Sequence, residues 1–213
     1  MAAPYRFERA AWRRGVTRVA GLDEAGRGPL AGPVVAAAVI LPPGIAIDGV
    51  DDSKRLDPDE RDRLYGAITS RATAWAVGMV DPGTIDRMNI LEATRVAMRA
   101  ALVALAVEPE LVLTDFVELK GLAWPQRNLV RGDQRSATVA AASIVAKVTR
   151  DRVMEEADRA FPEYGFRRHK GYATEEHRWA IEKHGPCPLH RRSFGGVAEW
   201  MQRDLFVSLE VGV

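Results

Sequence analysis

Thr17-Arg18-Val19-Ala20-Gly21-Leu22-Asp23-Glu24-Ala25-Gly26-Arg27-Gly28-Pro29-Leu30-Ala31-Gly32-Pro33-Val34-Val35-Ala36-Ala37-Ala38-Val39-Ile40-Leu41 is the stretch on which the fold turns. Thr17–Asp23 and Val34–Leu41 read as two short strands separated by a glycine-rich turn. Outward from there, Asp57-Pro58-Asp59-Glu60 spells a helix start, with Asp57 as N-cap, proline at the first helical position and Glu60 placed to cap in return. Ala74–Val80 reads as a third strand, and Asp81-Pro82 opens another helical region. Leu91, Met98, Leu102 and Leu105 recur at helical spacing over Ile90–Ala106, and Pro109 closes that segment. Leu111–Asp115 is a short apolar strand, and Ala137–Ala160 a long helix, alanine-rich first and charged later. Helices are further expected over Thr174–His184 and around Val197–Phe206. Strands separated by helices in this order predict an α/β domain with a mixed sheet.

The chain has 213 residues, 47% hydrophobic and 28% charged, the balance of a folded globular protein rather than a disordered, collagen-like or coiled-coil one. Thirty Lys and Arg against 29 Asp and Glu leave a formal charge of +1, so any nucleic-acid contact must rest on local patches. Cys187 is the single cysteine, which excludes an internal disulfide and a multi-cysteine zinc site. Pro33–Pro43, the longest apolar stretch, is about half of what a membrane helix needs. With no signal-like segment at the start, a cytoplasmic location is expected.

Four acids stand at the ends of hydrophobic strands or just before a helix. Asp23-Glu24 closes the first strand, Asp115 closes Leu111-Val112-Leu113-Thr114, and Asp133 follows Gly132 before the alanine-rich helix. An isolated Asp-Glu pair is equally well a solvated turn, but ends of α/β strands are where ligand sites gather. Should the four carboxylates meet, their charge sums to about −4, and divalent cations bound by oxygen alone (Mg²⁺ or Mn²⁺) are the economical counter-charge. A pair of such ions roughly 4 Å apart serves phosphodiester hydrolysis. Gly26-Arg27-Gly28 lets backbone amides approach a ligand and offers a guanidinium for phosphate, or is only a tight turn with a surface arginine.

Gly21 to Val39 closely resembles the signature of the bacterial ribonuclease HII family, as do Asp52-Ser53-Lys54-Arg55-Leu56, Ala140 to Asp151, and Tyr164-Gly165-Phe166 through His169-Lys170-Gly171-Tyr172. The resemblance runs from about Arg18 to Val197. It implies a ribonuclease H-like fold, a five-stranded mixed sheet flanked by helices with a helical C-terminal element. The catalytic domain would cover 1–160, and a helical extension over 161–213 would contribute to substrate binding. The implied activity is metal-dependent endonucleolytic hydrolysis of the RNA strand of RNA–DNA hybrids, including cleavage 5′ of single ribonucleotides in duplex DNA. The ends left are 5′-phosphate and 3′-hydroxyl, and the implied duties are ribonucleotide repair and primer removal by a monomer. By position the resemblance makes Asp23, Glu24, Asp115 and Asp133 the catalytic and metal-binding acids, with Mn²⁺ or Mg²⁺ as cofactor. Gly26, Arg27 and Gly28 would read the 2′-hydroxyl, the one group that separates RNA from DNA at a single nucleotide. Tyr164 would stack on the neighbouring deoxyribose, and Lys54, Ser143 and Lys147 would contact phosphates. Two departures stand out: Phe116 follows Asp115 where many members place a glycine, and Gly195-Gly196 replaces a residue-plus-proline.

Alternatives are another nuclease on the same fold acting on DNA, such as a junction resolvase or transposase-like enzyme, and a non-catalytic hybrid-binding module. Cys187-Pro188-Leu189-His190 resembles half a metal site without a second half. The five tryptophans, among them Trp75 and Trp179, read as packing residues. Arg167-Arg168-His169-Lys170 is expected at the nucleic-acid backbone, or else is a solvated turn.

Overall fold

The computed structural model describes residues 3–210. Its strands β1 (Val19–Ala25), β2 (Val34–Ile40), β3 (Ala74–Val80), β4 (Leu111–Asp115) and β5 (Gln126–Leu129) form one sheet in the order β3-β2-β1-β4-β5. β2 runs antiparallel to β1, while β4 runs parallel to β1 and β5 parallel to β4, so the sheet is mixed as expected. β2 is buried at all seven positions, which its unbroken apolar sequence permits. The helices are α1 (Arg6–Trp12), α2 (Pro58–Arg71), α3 (Pro82–Met88), α4 (Ile90–Val103), α5 (Ala137–Ala160), α6 (Phe166–His169), α7 (Glu175–His184) and α8 (Val197–Glu210). Among the described residues no helix is long and apolar enough to cross a membrane.

The caps do what their residue types dictate. Asp57 accepts the Glu60 amide at 2.8 Å to start α2, and Thr174 accepts the His177 amide to start α7. α4 ends at Val103, short of Ala106. β5 and α1 carry no strong local signal: Gln-Arg-Asn-Leu has no β-branched residue and two exposed positions, so its pairing with β4 makes it a strand. Trp75 and Trp179 are 38% and 59% exposed, which corrects their reading as packing residues. Trp179 instead carries the Lys183 ammonium 4.7 Å over its ring.

The chain divides into two compact units that do not follow a single cut near residue 160. The first takes the chain up to Ala25, Val35–Met79 and Thr94–Thr149; it holds the sheet, α2 and the alanine-rich part of α5. Gly21 sets how closely α5 lies on β1, because a Cβ there would sit 2.3 Å from the Thr138 carbonyl carbon. Ala140, Ala141, Ala142 and Ala146 continue that seam against Val39, Leu64 and Ile68. Glu8, fully buried, accepts from the Ser136 hydroxyl (2.5 Å) and the Thr138 amide (2.9 Å), placing a carboxylate at the first turn of α5.

The second unit comprises Gly26–Val34, Val80–Ala93 and the chain from Arg150. Its core joins Ala31, Met154, Tyr164, Phe166 and Ala180, with Leu30, Ile181 and Val197 in a smaller cluster. Asp86 of α3 accepts the amides of Arg192 and Ser193 at 2.8 and 2.9 Å and so fixes the segment that leads into α8.

Candidate active site

Register places the first two acids. Leu22 pairs with Thr114 in the parallel β1–β4 ladder, so the next residues along, Asp23 and Asp115, come side by side. Gly21, two residues before Asp23 and therefore on the same face, lies against Thr138 of α5. Asp133 reaches that neighbourhood on a single 3₁₀ turn, Gly132–Gln134, entered through Arg131 at φ 55°. Gly132 permits the approach, since a Cβ would meet the Asp115 Cα at 3.2 Å, and its amide donates to Asp115 Oδ1 at 2.7 Å.

Asp23, Asp115 and Asp133 thus each present a carboxylate oxygen, all within 4.8 Å of one another. Asp23 and Asp133 are buried, 6% and 5% exposed. Burial, then the charges of Glu24 and Asp115, hold the Asp23 carboxyl well above its ordinary range, although the Glu24 amide donates to it. Asp133 is pushed up to about 6, again by burial first and then by Asp52 and Asp115. Such a cluster of oxygens fits a hard divalent cation, which would relieve both the burial cost and the mutual repulsion.

Glu24, next to Asp23 on β1, is not among the three whose oxygens come within 4.8 Å of one another, but its charge is the largest of those that raise Asp23, and its Oε2 is buried. Lys54 supplies positive charge nearby: burial alone would lower its pKa, but Asp52, Asp23, Asp133 and Asp115 raise it. Asp52, buried at 7%, accepts the Lys54 amide at 3.0 Å and shapes that turn; it is a site residue the sequence reading passed over. Ser143 is 5% exposed and donates to Ser53 Oγ at 2.7 Å, so it serves the fold and is not displayed to a phosphate as expected. Lys147 is half-buried on α5.

In the second unit, Gly26 adopts φ +93°, and a Cβ there would lie 2.1 Å from Arg150 Nε. Gly28 is exposed, with open space where a side chain would be. Tyr164 contradicts its assignment as a stacking platform. It is 3% exposed, its hydroxyl donates to the Gly185 carbonyl at 2.6 Å, and its ring stacks on Phe166 at 5.3 Å. Burial pushes that hydroxyl up to about 12. Tyr172 of the same segment is 45% exposed, with the Arg150 guanidinium 6.0 Å over its ring. Its neighbour Gly171 accepts the Leu30 amide at 2.8 Å, which ties it to the segment that follows the Gly-Arg-Gly loop. The signal was present in the sequence: Tyr164 sits among Phe161 and Phe166, whereas Tyr172 follows Lys170-Gly171 in polar surroundings.

His169, His177 and His190 form a buried trio beside Tyr164. The His169 and His177 rings stack at 4.4 Å, and His177 Nε2 meets His190 Nε2 at 3.0 Å. Burial holds His177 and His190 down to about 4 and lowers His169 as well, which favours the neutral form of each ring.

Five strands in this order, with flanking helices and acids at the ends of β1 and β4, define a ribonuclease H-like fold. The family model for Ribonuclease HII matches residues 20–197. A Ribonuclease HII of Moorella thermoacetica is 56% identical over 192 residues, 90% of this chain and 93% of the relative. One of Geobacter metallireducens is 54% identical over 193 residues, 91% of each. The crystal structure of ribonuclease H2 from Pyrococcus horikoshii superposes with a TM-score of 0.75 at 27% identity, covering 87% of this chain and 98% of that one. The chain belongs to the ribonuclease HII family. It is an enzyme of the ribonuclease H type, an endonuclease of the family that cleaves the RNA of RNA–DNA hybrids.

Proposed function

We propose that this enzyme depends on Mg²⁺ or Mn²⁺ and cuts RNA–DNA hybrids as well as duplex DNA on the 5′ side of a single embedded ribonucleotide. The observation that carries this reading is the convergence of Asp23, Asp115 and Asp133 oxygens within 4.8 Å. These three residues, with Glu24 beside Asp23, would hold the cations. When bound, such ions supply an activated water and neutralise charge on the leaving oxygen. Hydrolysis adds water across the bond between phosphorus and the 3′-oxygen, leaving a 5′-phosphate and a 3′-hydroxyl.

The chain's own groups do the rest. Asp52 and Lys54 set charge beside the acids. Gly26, Arg27 and Gly28 read the 2′-hydroxyl, which is both donor and acceptor. Tyr172, exposed where Tyr164 is buried, takes the sugar-stacking role first given to Tyr164. Lys147 contacts the phosphate backbone, and the helical part from 161 onward adds binding surface. This chemistry suits ribonucleotide repair and primer removal in the cytoplasm.

The test is a duplex with one ribonucleotide and its all-DNA twin, incubated with Mg²⁺, Mn²⁺ or chelator. Cleavage is expected at the ribonucleotide only, with metal only, and Asp115→Asn should lower it at least about a thousandfold while sparing binding. Equal cutting of the twin would favour a DNA nuclease on the same fold, and full turnover by Asp115→Asn would remove the acid cluster from the chemistry.

A further inference from the structure

Two arginines of the second unit lie where the sequence gives a cation little reason to be. Arg191 is fully buried and Arg150 is 1% exposed. Burial lowers the pKa of both, and for Arg191 the neighbouring Arg150 charge adds to it while Asp86 offsets it. Their partners explain why the arrangement persists. Arg191 donates through Nη1 to the Arg27 carbonyl at 3.0 Å, through Nη2 to Gly26 (2.6 Å) and Gly32 (2.8 Å), and through Nε to Gly32 (3.0 Å). Its amide holds the Leu30 carbonyl at 2.8 Å. Arg150 takes the carbonyls of Ala31, Pro33 and Lys170, each at 3.0 Å.

The geometry has a directional consequence. Among the described residues no peptide bond is cis, so the carbonyl of one residue and the N–H of the next point in opposite directions. Pinning the Gly26 carbonyl on Arg191 therefore turns the Arg27 N–H away from Arg191. Pinning the Arg27 carbonyl does the same for the N–H of Gly28, an exposed residue. Carbonyl partners are dipoles, not charges, so the bonds leave the two positive charges in place behind the amides.

We propose that Arg191, braced by Arg150, is the positioning residue that aims the Arg27 and Gly28 amides as a fixed donor pair for the ribose 2′-oxygen. It does not touch the substrate. The proposal deepens the reading of Gly26-Arg27-Gly28 as the hydroxyl-reading loop and rests on it. Lysine keeps the charge but, as a compact ammonium, cannot span three carbonyls in one plane.

The experiment measures affinity of the whole chain, in chelator, for a duplex with one ribonucleotide and for its all-DNA twin. The wild type is expected to prefer the ribonucleotide about tenfold, the worth of a hydrogen bond of this kind. Arg191→Lys should bind the twin within about threefold of wild type, because phosphate contacts position without specifying, and should lose the preference. A thermal melt establishes that the variant is folded. If it is not, amide spectra of the wild type decide instead: the Arg27 and Gly28 resonances should shift with the ribonucleotide duplex and not with the twin. A folded Arg191→Lys that keeps the preference, or that loses both affinities in parallel, overturns the role of Arg191 alone, as does the absence of that differential shift. No preference in the wild type overturns the reading of the loop, and the role of Arg191 with it.

Discussion

The two units solve opposite electrostatic problems. In the first, Asp23, Asp115 and Asp133 are crowded together with too little positive charge, and the shortfall invites a cation. In the second, Arg150 and Arg191 are buried among main-chain carbonyls. There the positive charge is used to hold a loop in one shape. On the proposed reading, the acid cluster keeps its charge unmet so that a metal can enter, whereas the loop that would read the 2′-hydroxyl has its carbonyl dipoles satisfied and is held in place. Rigidity and reactivity are thereby supplied by different residues, and each can be perturbed separately.

The largest effect on stability is expected in the first unit. Gly21→Ala forces a methyl to within 2.3 Å of the Thr138 carbonyl carbon, and thermal unfolding should show a loss of about 3 kcal/mol. A variant as stable as wild type would mean that α5 is not seated on β1 as described.

Next comes a pair of tyrosines that sharpens the contrast. Tyr172→Ala should weaken cutting at an embedded ribonucleotide by about 1–3 kcal/mol, read from kcat/KM. Tyr164→Phe removes the bond to the Gly185 carbonyl and should cost about 1 kcal/mol of stability with ribonucleotide discrimination unchanged. The opposite pattern would return the sugar contact to Tyr164.

The smallest effect concerns acid. His177 and His190 titrate near 4 in the fold against 6.5 when unfolded. The unfolded chain therefore takes up their protons first, and their contribution to stability falls as pH drops from about 6.5 towards 4, while the raised Asp23 and Asp133 carboxyls act in the opposite sense. Melts of wild type and His190→Gln at pH 7 and pH 5 separate the two: the variant should lose less stability, or gain more, on going to pH 5. The same change with pH in both proteins would contradict a neutral trio.

Much of this was legible in the letters because it depends on local chemistry. Asp57-Pro58, Thr174 and the alanine run of α5 announce themselves through capping and composition. Asp23, Asp115 and Asp133 each follow directly on an apolar strand or a glycine. What failed depends on direction and on distant partners. Tyr164 stands in a matching motif, but Phe166 and Gly185 enclose it. Arg150 lies on an apolar face, with Ala142, Ala146 and Met154 at four-residue steps either side of it, a period that a charged residue hides in the sequence.

The most direct test of the acid cluster is a calorimetric titration with Mn²⁺ near pH 6 in two buffers of different ionisation enthalpy. Asp23 and Asp133 carry protons more readily than ordinary carboxyls, so binding should release protons and the apparent heats should differ between buffers. Asp115→Asn should weaken that binding sharply. Heats identical in both buffers, or Mn²⁺ affinity untouched by Asp115→Asn, would contradict a cation held by these three carboxylates.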